Sequence, residues 1–269
     1  MSEMAKVASE IMAQVRNKKP LIHHITNFVV MNATANITLC AGALPVMAHA
    51  KEEVAEMAGS ADALVLNMGT LWPAQVEAML LAGHRANDRD IPVVLDPVGA
   101  GATQLRTDST RLLLDRLSIA IVRGNVAEMA VLIGREAKIS GVESRNVTED
   151  AAGVARQFAH EYGCVAAVTG AVDVVSDGTR LNRVANGHAM MGMVTGTGCM
   201  ATSVVAAYAA VEKDYFSATA CALAAYGLAG EIAAERAQGP GTFQVHIFDA
   251  LAGLSEEALL AGVRIGEAT

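Results

Sequence analysis

The chain has 269 residues, 52% of them hydrophobic but only 4% aromatic, and a formal net charge of −8. That acidic balance, with no run of Lys or Arg, argues against nucleic-acid or anionic-membrane partners, because phosphate backbones and anionic headgroups select basic patches. The length suffices for one substantial core, so a single domain over residues 1–269 is expected, filled with Ala, Val, Leu, Ile and Met.

The first 19 residues mix Glu3, Lys6, Glu10, Arg16 and Lys18 with apolar residues. This pattern predicts an amphipathic helix rather than a signal peptide, hence a cytoplasmic protein. Short apolar runs then alternate with helical periods, which is βαβ rhythm. Strands are expected at Leu21–Ile25, Pro45–Met47, Ala63–Asn67, Val93–Leu95, Ile119–Val122 and Val165–Thr169. Around Asp173–Val184 two polar-alternating runs flank Asp177-Gly178, predicting a hairpin and so an antiparallel edge on a mostly parallel sheet. The apolar stretch from Ala201 to Ala234 is interrupted by Glu212, Lys213 and Asp214. Neither part then reaches the roughly 20 apolar residues that span a bilayer, and buried helices are expected instead.

In an open α/β sheet ligands sit beyond the carboxyl ends of the strands, so the residues after each run carry the candidates. His23-His24 is not metal-ligand spacing on one strand face, since adjacent side chains point oppositely; one is expected packed and the other near solvent. Asp96, followed by Pro97-Val98-Gly99-Ala100-Gly101, is either a turn-forming Asx-Pro or an acidic residue near phosphate and metal. Arg123 is a surface strand-end arginine or a phosphate contact. In Asn125-Val126-Ala127-Glu128, Asn125 caps a helix and Glu128 reaches back to its backbone, or Glu128 holds Mg²⁺. Spacing does not separate those two readings. Thr169-Gly170 offers a hydroxyl and a mobile turn for a nucleotide.

Thr195-Gly196-Thr197-Gly198-Cys199 leads into an Ala-rich helix. Glycines allow close backbone approach, and first-turn amides with the helix dipole suit a phosphate; the local alternative is a tight turn capped by Thr197. Cys199 in that first turn is expected to have a lowered pKa. The other cysteines, Cys40, Cys164 and Cys221, are scattered without CxxC spacing and are expected to be inert core residues.

The ordered strings LIHHITNFVVMNATAN, PVMAHA, VLDPVGAGAT, RGNVAEM, VTGAVDVVSDG and GTGC resemble the hydroxyethylthiazole kinase family from about Leu21 to Cys199. The resemblance implies a ribokinase-like fold: a mostly parallel sheet flanked by helices on both faces, with a small antiparallel hairpin edge. It also implies ATP and Mg²⁺ as cofactors and a thiazole alcohol as substrate. By similarity, Arg123 and Thr169 bind ATP, and Met47, Gly196 and Asn27 bind the thiazole. Asp96 and Glu128 hold the Mg²⁺–phosphate group, and Gly196, Thr197, Gly198 and Cys199 form the catalytic turn. A homotrimer with sites between subunits follows from the same resemblance, Met47 serving a neighbour. Related sugar kinases place Asp where this chain has Cys199, which favours the thiazole branch over them but leaves a catalytically weak nucleotide-binding protein open; a kinase for another vitamin precursor (hydroxymethylpyrimidine or pyridoxal) and an ATP-dependent dehydratase on the same fold stay open too.

Overall fold

The computed structural model describes residues 2–135 and 150–267. In chain order the elements are α1 (Glu3–Lys18), β1 (Leu21–Ile25), α2 (Met31–Ala41), β2 (Leu44–Val46), α3 (Val54–Ser60), β3 (Ala63–Asn67), α4 (Pro73–Asp88), β4 (Val93–Asp96), α5 (Gln104–Arg116), β5 (Ile121–Asn125) and α6 (Val126–Leu132). There follow α7 (Ala151–Tyr162), β6 (Val165–Thr169), β7 (Asp173–Ser176), β8 (Leu181–Val184), a 3₁₀ segment (Ala189–Met193), α8 (Thr197–Ala209), α9 (Tyr215–Arg236), α10 (Pro240–Ala252), α11 (Glu256–Gly262) and β9 (Ile265–Glu267).

The strands form one sheet in the order β2-β1-β3-β4-β5-β6-β7-β8-β9. Pairing is parallel from β2 through to β6 and antiparallel at β6–β7, β7–β8 and β8–β9. The period of two decides which side chain goes where. Ala63 and Val65 join one core with Val94, Ile121 and Ala167, while Leu64 and Leu66 join the other with Val93, Leu95 and Val122. Residues of α1, α2 and α8–α11 cover the first face, and those of α3–α7 the second. Two buried faces explain why the strands read as continuous apolar runs rather than alternating ones.

The expected bounds of β1, β3 and β6 match, and both hairpin strands are present. Strand β2 lies one residue earlier than expected, so Met47 follows it. Strand β4 extends to Asp96, and β5 starts and ends later than expected, because its pairing with β6 continues to Asn125↔Thr169. Strand β9 was not expected. It adds three residues to the hairpin edge.

One expectation about burial is corrected. His23 and His24 are both fully buried, since β1 is an interior strand: His23 Nε2 lies 2.8 Å from the Ala48 carbonyl and His24 Nε2 lies 3.3 Å from Thr38 Oγ1. Burial lowers both pKa values, that of His24 to about 3, so both are neutral near pH 7. Among the described residues, helix α9 alone has the length and composition to cross a membrane, longer than expected, and 83% of its apolar window is buried within the fold, as expected of a core helix. Of the cysteines, Cys164 and Cys221 are buried and Cys40 is half-buried.

Candidate active site

The carboxyl ends of β4, β5 and β6 face the N-terminus of α8 across a cleft of about 750 Å³. Gly196 makes the turn into α8 at φ +89, a left-handed conformation that side chains resist, and a Cβ there would lie 2.6 Å from Val30 Cγ1. Among the described residues no side chain caps α8. The hydroxyl of Thr197 turns backward, donating to the Met191 carbonyl at 2.7 Å and the Val194 carbonyl at 3.2 Å. Capping by Thr197 is therefore corrected: the residue ties down the 3₁₀ segment and leaves its own amide, with those of Gly198 and Cys199, as the unpaired first-turn donors of a helix. Those donors and the dipole end favour an anion in the cleft.

Arg123, from β5, is not a surface residue. Its guanidinium packs so closely on Gly198 that a Cβ there would sit 2.7 Å from Nη1. Nη2 donates to Thr169 Oγ1 at 2.6 Å, and Nη1 lies 3.7 Å from Asp96 Oδ2. Burial works against the Arg123 cation, but the acidic side chains around it, Asp96 first, then Glu128 and Asp173, hold it charged. Thr169 Oγ1 in turn donates to the Gly124 carbonyl at 3.3 Å.

Asp96 is fully buried at the end of β4. Its Oδ2 accepts from Asn67 Nδ2 at 3.0 Å and Thr202 Oγ1 at 2.9 Å, while Oδ1 has no partner. Burial raises its pKa, opposed by Arg123, Thr202, Asn67 and Cys199. Glu128 makes the full capping box: Oε2 accepts from the Asn125 amide at 2.9 Å, and Asn125 Oδ1 accepts from the Glu128 amide at 2.9 Å. Its Oε1 also accepts from the Gly99 amide at 2.7 Å, joining the β4 and β5 exits. Thus the cap exists and the same carboxylate lines the cleft. Because the two oxygens serve two different amides, a glutamine, with one acceptor oxygen, cannot replace Glu128 without orphaning one of them.

Burial raises the Glu128 pKa to about 7, with Asp96 adding to the rise and the Gly99 and Asn125 amides opposing it. Between about pH 4.5 and 7 the folded protein holds a proton that the unfolded chain releases, so stability is lost as pH rises through that window and levels off above it. At about 1.4 kcal/mol per tenfold, this is worth on the order of 3 kcal/mol. Urea titrations of the wild type and Glu128→Gln are expected to show the wild type's relative stability falling by about that amount from pH 5 to 7.5; a constant difference would remove Glu128 as its source.

Cys199 corrects the expectation of an acidic thiol. Its Sγ accepts from Asn67 Nδ2 at 3.2 Å and Asn27 Nδ2 at 3.8 Å. Burial and the neighbouring Asp96 raise its pKa to about 12 against the pull of Arg123 and the two amides, so it is a thiol near pH 7. Asn27 is buried, with its own Oδ1 taken by the Val29 and Val30 amides.

The site thus brings together Asp96, Arg123, Glu128, Thr169 and Gly196–Cys199 along the cleft, with Asn27 behind Cys199. It does not bring Met47, which lies half-buried past the edge strand β2 and outside the cleft. Sequence reasoning missed Asn67, although it ends β3 and so obeys the strand-exit rule. It also missed Thr202, Asp173 and Arg106. Asp173 lines the cleft, and burial raises its pKa to about 6 against the Gly170 amide and Arg123. The Arg106 guanidinium donates to the carbonyls of Met68, Gly69 and Val98 and so ties the β3 exit to the β4 exit. Among the described residues no three His, Cys, Asp or Glu are placed to hold a metal by themselves. Asp96, with its unpartnered oxygen, and Glu128 are hard oxygen donors, a set that fits Mg²⁺ completed by water and phosphate oxygens.

The profile of the hydroxyethylthiazole kinase family matches residues 12–257. The chain is 52% identical over 261 residues to the hydroxyethylthiazole kinase of Methanocella arvoryzae, covering 97% of this chain and 98% of that protein. It is 55% identical over 257 residues to that of Chloroflexus aurantiacus, covering 96% of each. The solved hydroxyethylthiazole kinase of Pyrococcus horikoshii OT3 superposes with a TM-score of 0.91 at 42% identity, covering 98% of this chain and all of that one. A Staphylococcus aureus pyridoxal kinase in complex with AMP-PCP and pyridoxal shares the fold, with a TM-score of 0.61 at 15% identity over 93% of this chain and 99% of that one.

Proposed function

The chain belongs to the hydroxyethylthiazole kinase family, and on that premise we propose that it transfers the terminal phosphoryl group of ATP, with Mg²⁺, to the hydroxyethyl group of 4-methyl-5-(2-hydroxyethyl)thiazole. The observation that carries this reading is the uncapped α8 N-terminus set against Arg123 and the unpartnered Asp96 oxygen in one cleft.

Phosphoryl transfer through a loose transition state asks a protein mainly for positioning and charge stabilisation. The amides of Thr197, Gly198 and Cys199 face the transferring group, where their donors are preorganised for the charge on its equatorial oxygens. Arg123 adds a fixed positive charge beside them, oriented by Thr169. Asp96 and Glu128 would hold Mg²⁺, which when bound neutralises phosphate charge. Asn67 fixes Asp96 and Cys199 relative to one another by donating to both. Asn27 and Gly196 close the substrate end of the turn.

With its pKa near 12, Cys199 is better suited to orient the alcohol than to take its proton. Cys199→Ala is therefore expected to lower turnover by about tenfold, the worth of one neutral hydrogen bond. A loss of the 10²–10⁴ that a general base supplies would contradict this role.

The assembly we propose is a homotrimer, with Met47 completing a neighbour's thiazole pocket. Support comes from the apolar surface that follows β1 beside the site: Phe28 is 64% and Val29 66% exposed. One kinase domain over residues 1–269 and a cytoplasmic location, where ATP is available, complete the proposal.

The test is ADP release from ATP and Mg²⁺ with and without the thiazole alcohol, with hydroxymethylpyrimidine and pyridoxal as comparison alcohols. Thiazole-dependent ADP together with the mass of the phosphorylated thiazole is the expected result. Activity with another alcohol alone would overturn the substrate assignment.

A further inference from the structure

Among the described residues, three buried polar atoms on the cleft wall have no hydrogen-bond partner: Asp96 Oδ1, Arg123 Nε and the hydroxyl of Tyr226. The first is an acceptor and suits a cation. Arg123 Nε is a donor. The Tyr226 hydroxyl can also donate, since burial pushes the phenol pKa upward and keeps it protonated. Tyr226 is 2% exposed and projects from α9, within electrostatic reach of Arg123 and Cys199. Its neighbours on that helix, Ala222 to Ala225, are apolar. A hydroxyl left unpaired in such a place costs free energy that a phenylalanine of nearly the same shape would avoid. The apolar ring alone therefore does not account for tyrosine here.

Two unmet side-chain donors and the unpaired amides of α8 line one cleft. The chemistry that answers them is a group with several acceptor oxygens, which a phosphate has. A thiazole alcohol offers only two acceptor atoms, its hydroxyl oxygen and its ring nitrogen. We propose that Tyr226 is a nucleotide-binding residue whose hydroxyl donates a hydrogen bond to a phosphate oxygen of the nucleotide. The assignment rests on the kinase reading above and adds to it a residue that its motifs do not contain.

The test uses the full chain with Mg²⁺ and a non-hydrolysable ATP analogue, titrated by calorimetry into wild type and Tyr226→Phe, with melting of both proteins followed in the absence of nucleotide. Loss of one hydrogen bond to a charged acceptor predicts affinity weaker by about 10- to 100-fold. The melting temperature without nucleotide should be equal or higher, because the substitution removes an unpaired buried hydroxyl, and the KM for the thiazole alcohol should stay unchanged. Equal nucleotide affinity in the two proteins would overturn the Tyr226 assignment alone. So would a lower melting temperature with nucleotide and thiazole binding weakened together, the pattern of a structural role. A wild-type chain that binds no nucleotide would overturn the kinase reading and this assignment with it.

Discussion

Arg123→Ala is expected to lower kcat by about 10²–10³, the usual cost of deleting one preorganised donor to a developing charge. The substitution also strips the buried Asp96 of its cation at 3.7 Å. Breaking a buried pair by removing one partner costs about 3–5 kcal/mol of stability, part of which Asp96 recovers by taking a proton. The stability loss should therefore grow as pH rises through the Asp96 pKa, while the loss in kcat persists at every pH. Arg123→Lys restores charge but not the planar fork, one nitrogen of which serves Thr169 while another faces Asp96, so rescue should be partial. Steady-state kinetics with ATP and the thiazole alcohol, beside urea unfolding at several pH values, check both parts. A variant with wild-type kcat would remove Arg123 from the transferring phosphate.

Gly196→Ala should damage both fold and catalysis. Left-handed backbone costs a non-glycine residue roughly 1–2 kcal/mol. The added Cβ would also meet Val30 Cγ1 at 2.6 Å, and Val30 is buried and branched, with little room to yield. Overpacking of this kind costs about 1–3 kcal/mol more. Relief by backbone movement would displace the amides of Thr197 to Cys199, and a shift of about 1 Å at a positioning element costs on the order of 10² in turnover. Adding Val30→Ala should recover the overpacking share of stability but not the backbone share. Urea unfolding and kcat of the single and double variants check this; no recovery in the double variant would show that Val30 is not what Gly196 avoids.

The sheet was largely legible because its interior strands are buried on both faces. Runs such as Ala63–Asn67 and Val165–Thr169 are apolar along their length and stop at a polar strand exit. Strand β9 was not legible, since Ile265–Glu267 is too short to carry a pattern and pairs only because the hairpin already offers β8. Strand β5 was misplaced at its polar end for a similar reason. Arg123, Gly124 and Asn125 do not read as strand until their pairing with β6 is known.

At the site, the residues after β4, β5 and β6 could be picked because strand exits and glycine-rich turns leave local marks. What did not read from sequence was long-range. Asn67 gains its role from Asp96 and Cys199, 29 and 132 positions away. The Cys199 pKa runs opposite to the helix-terminus rule because burial and the Asp96 charge outweigh the pull of Arg123 and the Asn67 and Asn27 amides. Glu128 could not be assigned between cap and cleft, and the structure shows one carboxylate in both places. Tyr226 carries no motif at all, its hydroxyl being exceptional only once its surroundings are known.

A crystal structure of the chain with a non-hydrolysable ATP analogue, Mg²⁺ and the thiazole alcohol tests the account most directly. The terminal phosphate is expected within about 3.2 Å of the amides of Thr197 to Cys199, with Arg123 beside it and the metal on the side of Asp96 and Glu128. A triphosphate bound elsewhere, with those amides facing only solvent, would contradict it.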